Sequence, residues 1–273
     1  MPSYLITGVA RGIGYEFVRQ YSADPQNTVI GIVRNKAATD AKIAADADLT
    51  SRTNIHILEA DITSYPALQA AAAATAEITG GALDVLIGNA GIVPLFDNFD
   101  SFRTLAADPE GITKWMRELN EVNVLGNIHL FNLFTPLLLK GTLKKALVIS
   151  TGLADPELTN NFDISNAPLY SASKAAVNMV VSKFNAEYKQ DGLLFFSMSP
   201  GMVDVGLFDN ITEEQKSKVG GMVAKFMKYA PHFTGPLTPE QSVTLMRGVI
   251  ERASIEGGMG GAFVSQHGNG VWL

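Results

Sequence analysis

Cysteine is absent from the 273 residues, which excludes disulfides and every metal site built on thiolates. Long apolar runs are missing too: none approaches the ~18 residues that a membrane helix needs. Charge is sparse, at 18%, and no basic block stands out. With a net charge of −6, neither nucleic acid nor an anionic membrane is an expected partner. No basic n-region and apolar h-region precede the first strand, so no signal peptide is expected. A soluble, cytoplasmic protein is the expectation. Hydrophobic residues are plentiful, at 47%, as in a globular chain. The length allows one large α/β domain or two small ones. Without an internal repeat, a linker or a low-complexity run beyond one alanine-rich helix, a single domain over 1–273 is preferred.

Ser3-Tyr4-Leu5-Ile6 reads as a short buried strand, and Thr7-Gly8-Val9-Ala10-Arg11-Gly12-Ile13-Gly14 follows it. A helical pattern then covers 15–23. A strand, a glycine-rich turn and a helix N-terminus make a cradle for a pyrophosphate. Glycines admit the ligand close to the backbone, and free N–H groups and the helix dipole attract its charge. Glycine clusters also serve as plain turns, but their placement at strand end and helix start favours the cradle. The spacing is G-x-x-x-G-x-G, not the general G-x-G-x-x-G.

The second strand, Thr28-Val29-Ile30-Gly31-Ile32-Val33, ends at Arg34. An acidic residue there would bind a ribose 2′-hydroxyl, whereas an arginine accommodates a 2′-phosphate. Arg11, inside the glycine turn, adds a second positive charge. Both could instead be solvated surface residues, yet together they favour NADP(H) over NAD(H).

Asn54-Ile55-His56-Ile57-Leu58 is the third strand, followed by Asp61-Ile62-Thr63 and an alanine-rich helix over 66–78. Thr63 or Ser64 would cap that helix. Asp61 could accept a hydrogen bond from adenine, or merely cap its loop. Leu83-Asp84-Val85-Leu86-Ile87 is the fourth strand, and Gly88-Asn89-Ala90-Gly91 at its end is small enough for a cofactor to pass. Strands separated by helices of ten or more residues indicate a parallel sheet wound on both faces.

Pro168-Leu169-Tyr170-Ser171-Ala172-Ser173-Lys174 opens a long helix running to about Gln190. Tyr170 and Lys174 are four apart and share a face, roughly 5–6 Å between Cβ atoms. A free tyrosine holds its proton to about pH 10. A neighbouring ammonium favours the phenolate, so the expectation is a lowered pKa and a group fit for general acid–base work. Alone, such a pair is also what an exposed Tyr and a solvated Lys would give.

Taken together, Thr7–Gly14, Asp61, Asn89-Ala90-Gly91, Asn123-Val124-Leu125-Gly126, Tyr170–Lys174 and Pro200-Gly201 resemble the short-chain dehydrogenase/reductase family, in that family's order. The resemblance implies a Rossmann-like, doubly wound, seven-stranded sheet and an NAD(P)-dependent oxidoreductase. It implies that Tyr170 exchanges a proton with a carbonyl or alcohol oxygen, and that Lys174 binds the nicotinamide ribose. It further implies that Asn123 holds a water in the proton path. The family's substrate-facing hydroxyl falls in Ser150-Thr151-Gly152, after the strand Ala146-Leu147-Val148-Ile149. The usual second serine is Thr151 here, with Ser150 the alternative if the register shifts by one. Threonine offers the same donor and acceptor, but its methyl group stiffens χ1 and takes room. Where the family commonly has a threonine on the nicotinamide carboxamide, this chain has Val205. Cofactor hold there must rely on backbone groups such as that of Val203.

Two segments border the expected site. Residues 93–111 read as a loop before a helix over 112–139. Residues 206–238 occupy the family's lid position and contain an amphipathic helix over 212–228, a pattern that more often packs on its own core. Asn160, Asn161 and Phe162 could also line the pocket. Thr238 and Pro239 open the last helix, and Ala262-Phe263-Val264-Ser265 is the final strand.

The reading is thus an NADPH-dependent reductase of a mid-sized, fairly hydrophobic ketone or aldehyde, or the reverse alcohol oxidation. Alternatives are a dinucleotide-binding sensor without turnover, and dehydration or epimerisation on the same scaffold. A homo-oligomer is compatible with the sequence but not readable from it.

Overall fold

The computed structural model describes residues 1–209 and 211–273. Its centre is a parallel sheet of seven strands: β1 (Ser3–Thr7), β2 (Thr28–Val33), β3 (Ile55–Glu59), β4 (Val85–Gly88), β5 (Lys145–Ile149), β6 (Leu194–Met198) and β7 (Phe263–Val264). They lie in the order β3-β2-β1-β4-β5-β6-β7, so the winding reverses between β1 and β4. Ligands of such sheets bind outside the strand carboxyl ends at that reversal.

Helices α1 (Gly12–Tyr21), α2 (Lys36–Ala45) and α3 (Tyr65–Thr79) connect the first four strands. Between β4 and β5 come α4 (Leu95–Asn98), α5 (Phe102–Leu105), α6 (Pro109–Leu119) and α7 (Gly126–Leu138). Helices α8 (Pro156–Phe162) and α9 (Pro168–Tyr188) precede β6, while α10 (Glu213–Tyr229) and α11 (Pro239–Arg252) precede β7.

Strand alternation sorts the core into two layers. Tyr4 and Ile6 point to one face with Phe17, Val18, Val243 and Met246 of α1 and α11. Leu5 points to the other, with Phe131 and Phe134 of α7 and Val177 and Val181 of α9. Phe131, Phe184 and Phe195 meet with ring centres 5.2–5.3 Å apart. Such contacts add about 0.5–1.5 kcal/mol each beyond burial, and they seat α7 and α9 on β6. A smaller cluster of Leu158, Ile164, Phe226 and Trp272 lies under α10.

Several expectations are corrected. The helix over 112–139 is α6 and α7 joined without a break by a π-helical segment, Asn120–Leu125, a local widening too short for periodicity to reveal. The expected loop at 93–111 contains α4, α5 and the start of α6; the first two are single turns, too short to show periodicity. Of the two expected caps of α3, Thr63 and Ser64, it is Ser64 that accepts Ala67 N. Thr238 and Gln241 form a capping box on α11. Among the described residues, no helix is long and apolar enough to cross a membrane.

Candidate active site

The expected cofactor residues stand at the carboxyl ends of adjacent strands. After β1, Gly8 takes φ 75°, and a Cβ on it would come 3.0 Å from Ala90 Cα. A Cβ at Gly14 would meet Gly8 O at 2.4 Å, so the turn closes only with glycine at both places. Asn89 locks this turn to β4: its Nδ2 donates to Thr7 O at 2.9 Å, while Ala90 N donates to Thr7 Oγ1 at 2.9 Å. Gly12 takes φ 57° and faces Val205, whose Cγ1 would be 3.3 Å from an added Cβ. Ile13 is half-buried against the core below.

Arg11 and Arg34 are both exposed, and among the described residues neither forms an ion pair. Ala10 O accepts Lys42 Nζ at 3.0 Å, a third positive charge beside the turn that local sequence gave no reason to single out. Asp61 accepts the Thr63 N–H and hydroxyl at 2.9 and 2.8 Å. The Thr63 N–H, foremost, and Arg34 hold its carboxyl below the usual range. Asp61 therefore does cap its own loop. Ile62 is buried and packs on Gly126.

The catalytic candidates converge beside β4 and β5. Asn123 lies within the π-helical segment and is fully buried; such segments recur at functional sites. Its Oδ1 accepts Ile92 N at 2.9 Å, and its Nδ2 donates to Ile92 O at 3.2 Å and to Ser173 Oγ at 3.1 Å. Lys174 Nζ donates to Ile149 O at 2.7 Å and stands 5.9 Å from the centre of the Tyr170 ring. A Cβ on Gly91 would meet Asn123 Oδ1 at 3.0 Å and Lys174 Nζ at 3.4 Å. One glycine therefore faces both candidate side chains. Ser173, one helical turn from Tyr170, was missed by the sequence reading despite its helpful spacing.

Ser150 Oγ is enclosed with no partner among the described residues, whereas Thr151 is half-buried. Thr151 Oγ1 accepts Leu153 N at 3.3 Å, capping a 3-10 turn over Gly152–Ala154. Its hydroxyl proton stays available to a substrate oxygen. Pro200 is buried and accepts Ser242 Oγ at 2.7 Å; Gly201 takes φ 78°. Val203 is bridged to Leu237, which ties the chain after β6 to the stretch just before α11.

One electrostatic expectation is reversed. Burial, and secondly the carboxylate of Asp97, push the Tyr170 phenol above its ordinary pKa. The ammonium does not offset this, since burial pulls Lys174 down to about 8 and its hydrogen bond goes to a carbonyl. Met222 and Phe226 of α10 pack into the small cluster with Phe162, and the Phe162 and Tyr229 ring centres lie 5.0 Å apart. Those α10 side chains serve their own packing, as the pattern allowed.

A sequence profile described as short chain dehydrogenase matches residues 3–216. The chain belongs to the short-chain dehydrogenase/reductase family. It is 52% identical over 273 residues, covering all of both chains, to the short chain dehydrogenase virK of Hypocrea virens. It is 48% identical over 274 residues, again covering all of both, to the short-chain dehydrogenase/reductase iacC of Pestalotiopsis fici. Its fold matches the NADPH-bound carbonyl reductase from chicken fatty liver with a TM-score of 0.75 at 23% identity over 98% of each chain. The Drosophila melanogaster carbonyl reductase Sniffer matches with a TM-score of 0.74 at 22% identity, also over 98% of each. Membership makes the chain an oxidoreductase of a family that uses nicotinamide cofactors and acts on small molecules. The residues fit such a cofactor: the turn that closes only with glycine at 8 and 14 leads into α1, whose first N–H groups have no side-chain cap and can meet a phosphate.

Proposed function

We propose that this chain is an NADPH-dependent reductase of a ketone or aldehyde, able to run the reverse alcohol oxidation. Its 273 residues act as one domain, with residues 206–238 as the substrate lid. The observation that carries the reading is the meeting of Asn123, Lys174 and Gly91, one helical turn from Tyr170.

A bound dihydronicotinamide supplies the hydride; the chain supplies position and protons. Gly12 and Gly14 present the N–H groups at the start of α1 to the pyrophosphate, while Gly8, whose own N–H is donated to Ile32 O, shapes the turn beneath it. Arg11 and Arg34 take the 2′-phosphate, with Asp61 and Ile62 beside the adenine. Asn89, Ala90 and Gly91 let the cofactor lie across β4, while Pro200, Gly201 and Val203 support its far end. Lys174 holds the nicotinamide ribose.

Thr151 donates to the substrate oxygen and Tyr170 gives it the proton. A phenol that keeps its proton at neutral pH is released as a donor when negative charge develops on the substrate oxygen. Asn123 anchors the segment that carries a water toward Lys174. The partly buried apolar side chains of the small cluster, including Leu153 just after Thr151, favour a mid-sized hydrophobic carbonyl compound.

The test follows NADPH consumption over a panel of aromatic and aliphatic ketones and aldehydes, with product analysis. Tyr170→Phe should abolish turnover while NADPH still binds. Near-normal turnover in that variant would sink the mechanism, and silence over the whole panel despite tight NADPH binding would favour a sensor.

A further inference from the structure

The helix that carries Tyr170 starts without a cap of its own. Ala167, at its N-cap, offers no side-chain acceptor and sits in the left-handed region at φ 53°. The first N–H groups of a helix need partners from outside it. Here they find one about seventy residues earlier in the chain. Asp97 Oδ2 accepts the N–H of Leu169 at 2.8 Å and of Tyr170 at 3.0 Å, and Asp97 O accepts Ala167 N at 2.9 Å.

Asp97 is fully buried, and its Oδ1 has no partner among the described residues. A buried carboxylate is costly, and an asparagine or serine would cap the helix without that cost. Capping alone does not explain the charge. The groups facing it are Tyr170 on α9, with Lys174 one turn further, and Asp100 from its own segment. Asp100 is already paired with Lys218 of α10 at 2.7 Å.

We propose that Asp97 is a positioning residue for Tyr170: it fixes the first turn of α9 to the segment leaving β4 and so sets where the phenol stands. Its negative charge beside the phenol opposes loss of the phenolic proton. The cofactor crest at Asn89, Ala90 and Gly91 and the acid at Tyr170 thereby share one support. The proposal rests on the reading of Tyr170 as the proton donor.

Asp97→Asn keeps an acceptor oxygen and removes the charge; Asp97→Ala removes both. Ultraviolet difference titration against Tyr170→Phe reads ionisation of this phenol directly, without cofactor or substrate. In Asp97→Asn the phenol should ionise at lower pH. The basic limb of the kcat profile for ketone reduction should move the same way, because the donor is lost sooner. Asp97→Ala should lower kcat at least tenfold with the NADPH dissociation constant within about twofold. An unmoved titration in Asp97→Asn, or wild-type kcat in Asp97→Ala, overturns the proposal. If Asp97→Ala does not fold, the Asp97→Asn titration decides alone. Full turnover in Tyr170→Phe would instead sink the underlying reading, whatever Asp97 does.

Discussion

The side-chain amide of Asn123 donates to the hydroxyl of Ser173 across 3.1 Å, which pins the π-helical segment to the helix bearing Tyr170 and Lys174. The same side chain both donates to and accepts from the backbone of Ile92. Asn123→Ala should leave those buried groups unpaired, at about 1–3 kcal/mol. Chemical denaturation should show that loss, and turnover should fall further than the folded fraction does. Ser173→Ala removes one of the Asn123 partners and the donor to Tyr170 O, and should cost about 1–2 kcal/mol.

Gly91 tests the cradle. A methyl at 91 would press on Asn123 Oδ1 and Lys174 Nζ, so Gly91→Ala should weaken NADPH binding at least tenfold with little change in melting temperature. Gly220, inside α10 with nothing within 4 Å of an added Cβ, is the counterpart. Gly220→Ala should stabilise by roughly 0.5–1 kcal/mol. Fluorescence titration and thermal melting separate the two outcomes.

Lys174 should oppose stability at neutral pH. Its pKa is lowered from 10.5 to about 8 by burial, so the folded state binds fewer protons than the unfolded one between those values. The penalty is present in full below about pH 8 and falls away as pH rises toward 10.5. At roughly 1.4 kcal/mol per pH unit it amounts to about 3 kcal/mol. Lys174→Met leaves Ile149 O without its donor, which returns about 1 kcal/mol. The variant should therefore be more stable than the parent near pH 7 by about 2 kcal/mol and lose that advantage above pH 10, while turnover disappears. Denaturant midpoints across pH check the sign.

Cofactor choice should follow Arg11 and Arg34. Charge-assisted hydrogen bonds of this kind contribute about 1.5–3 kcal/mol, so replacing either arginine by alanine should weaken NADPH binding about tenfold or more. NADH binding should barely change. A preference for NADH in the unmodified protein would refute the role of both residues.

Much of this was legible in the sequence because it is local. Strand ends followed by glycines, and a tyrosine one turn from a lysine, place their residues through spacing alone. Asp97 was not legible, since a cap borrowed from another element leaves no pattern around either partner. The direction of the Tyr170 shift was misread for a related reason. Spacing shows that Lys174 is near, but only packing shows that the phenol is half-buried beside Asp97 and that the ammonium is committed to Ile149 O. Helix α10 reads correctly as amphipathic, yet periodicity alone does not tell which neighbours its apolar side meets.

The segment Asn120–Leu125 amounts to one surplus residue lodged in an otherwise regular rod. Deleting a single codon there should let the rod wind tightly throughout, swinging α6 by about a quarter-turn relative to α7. The hydrophobic seat of α7 would survive, but Asn123 would be carried away from Ser173. A frame-preserving loss of three nucleotides would then yield a protein that folds, resists proteolysis and does no chemistry.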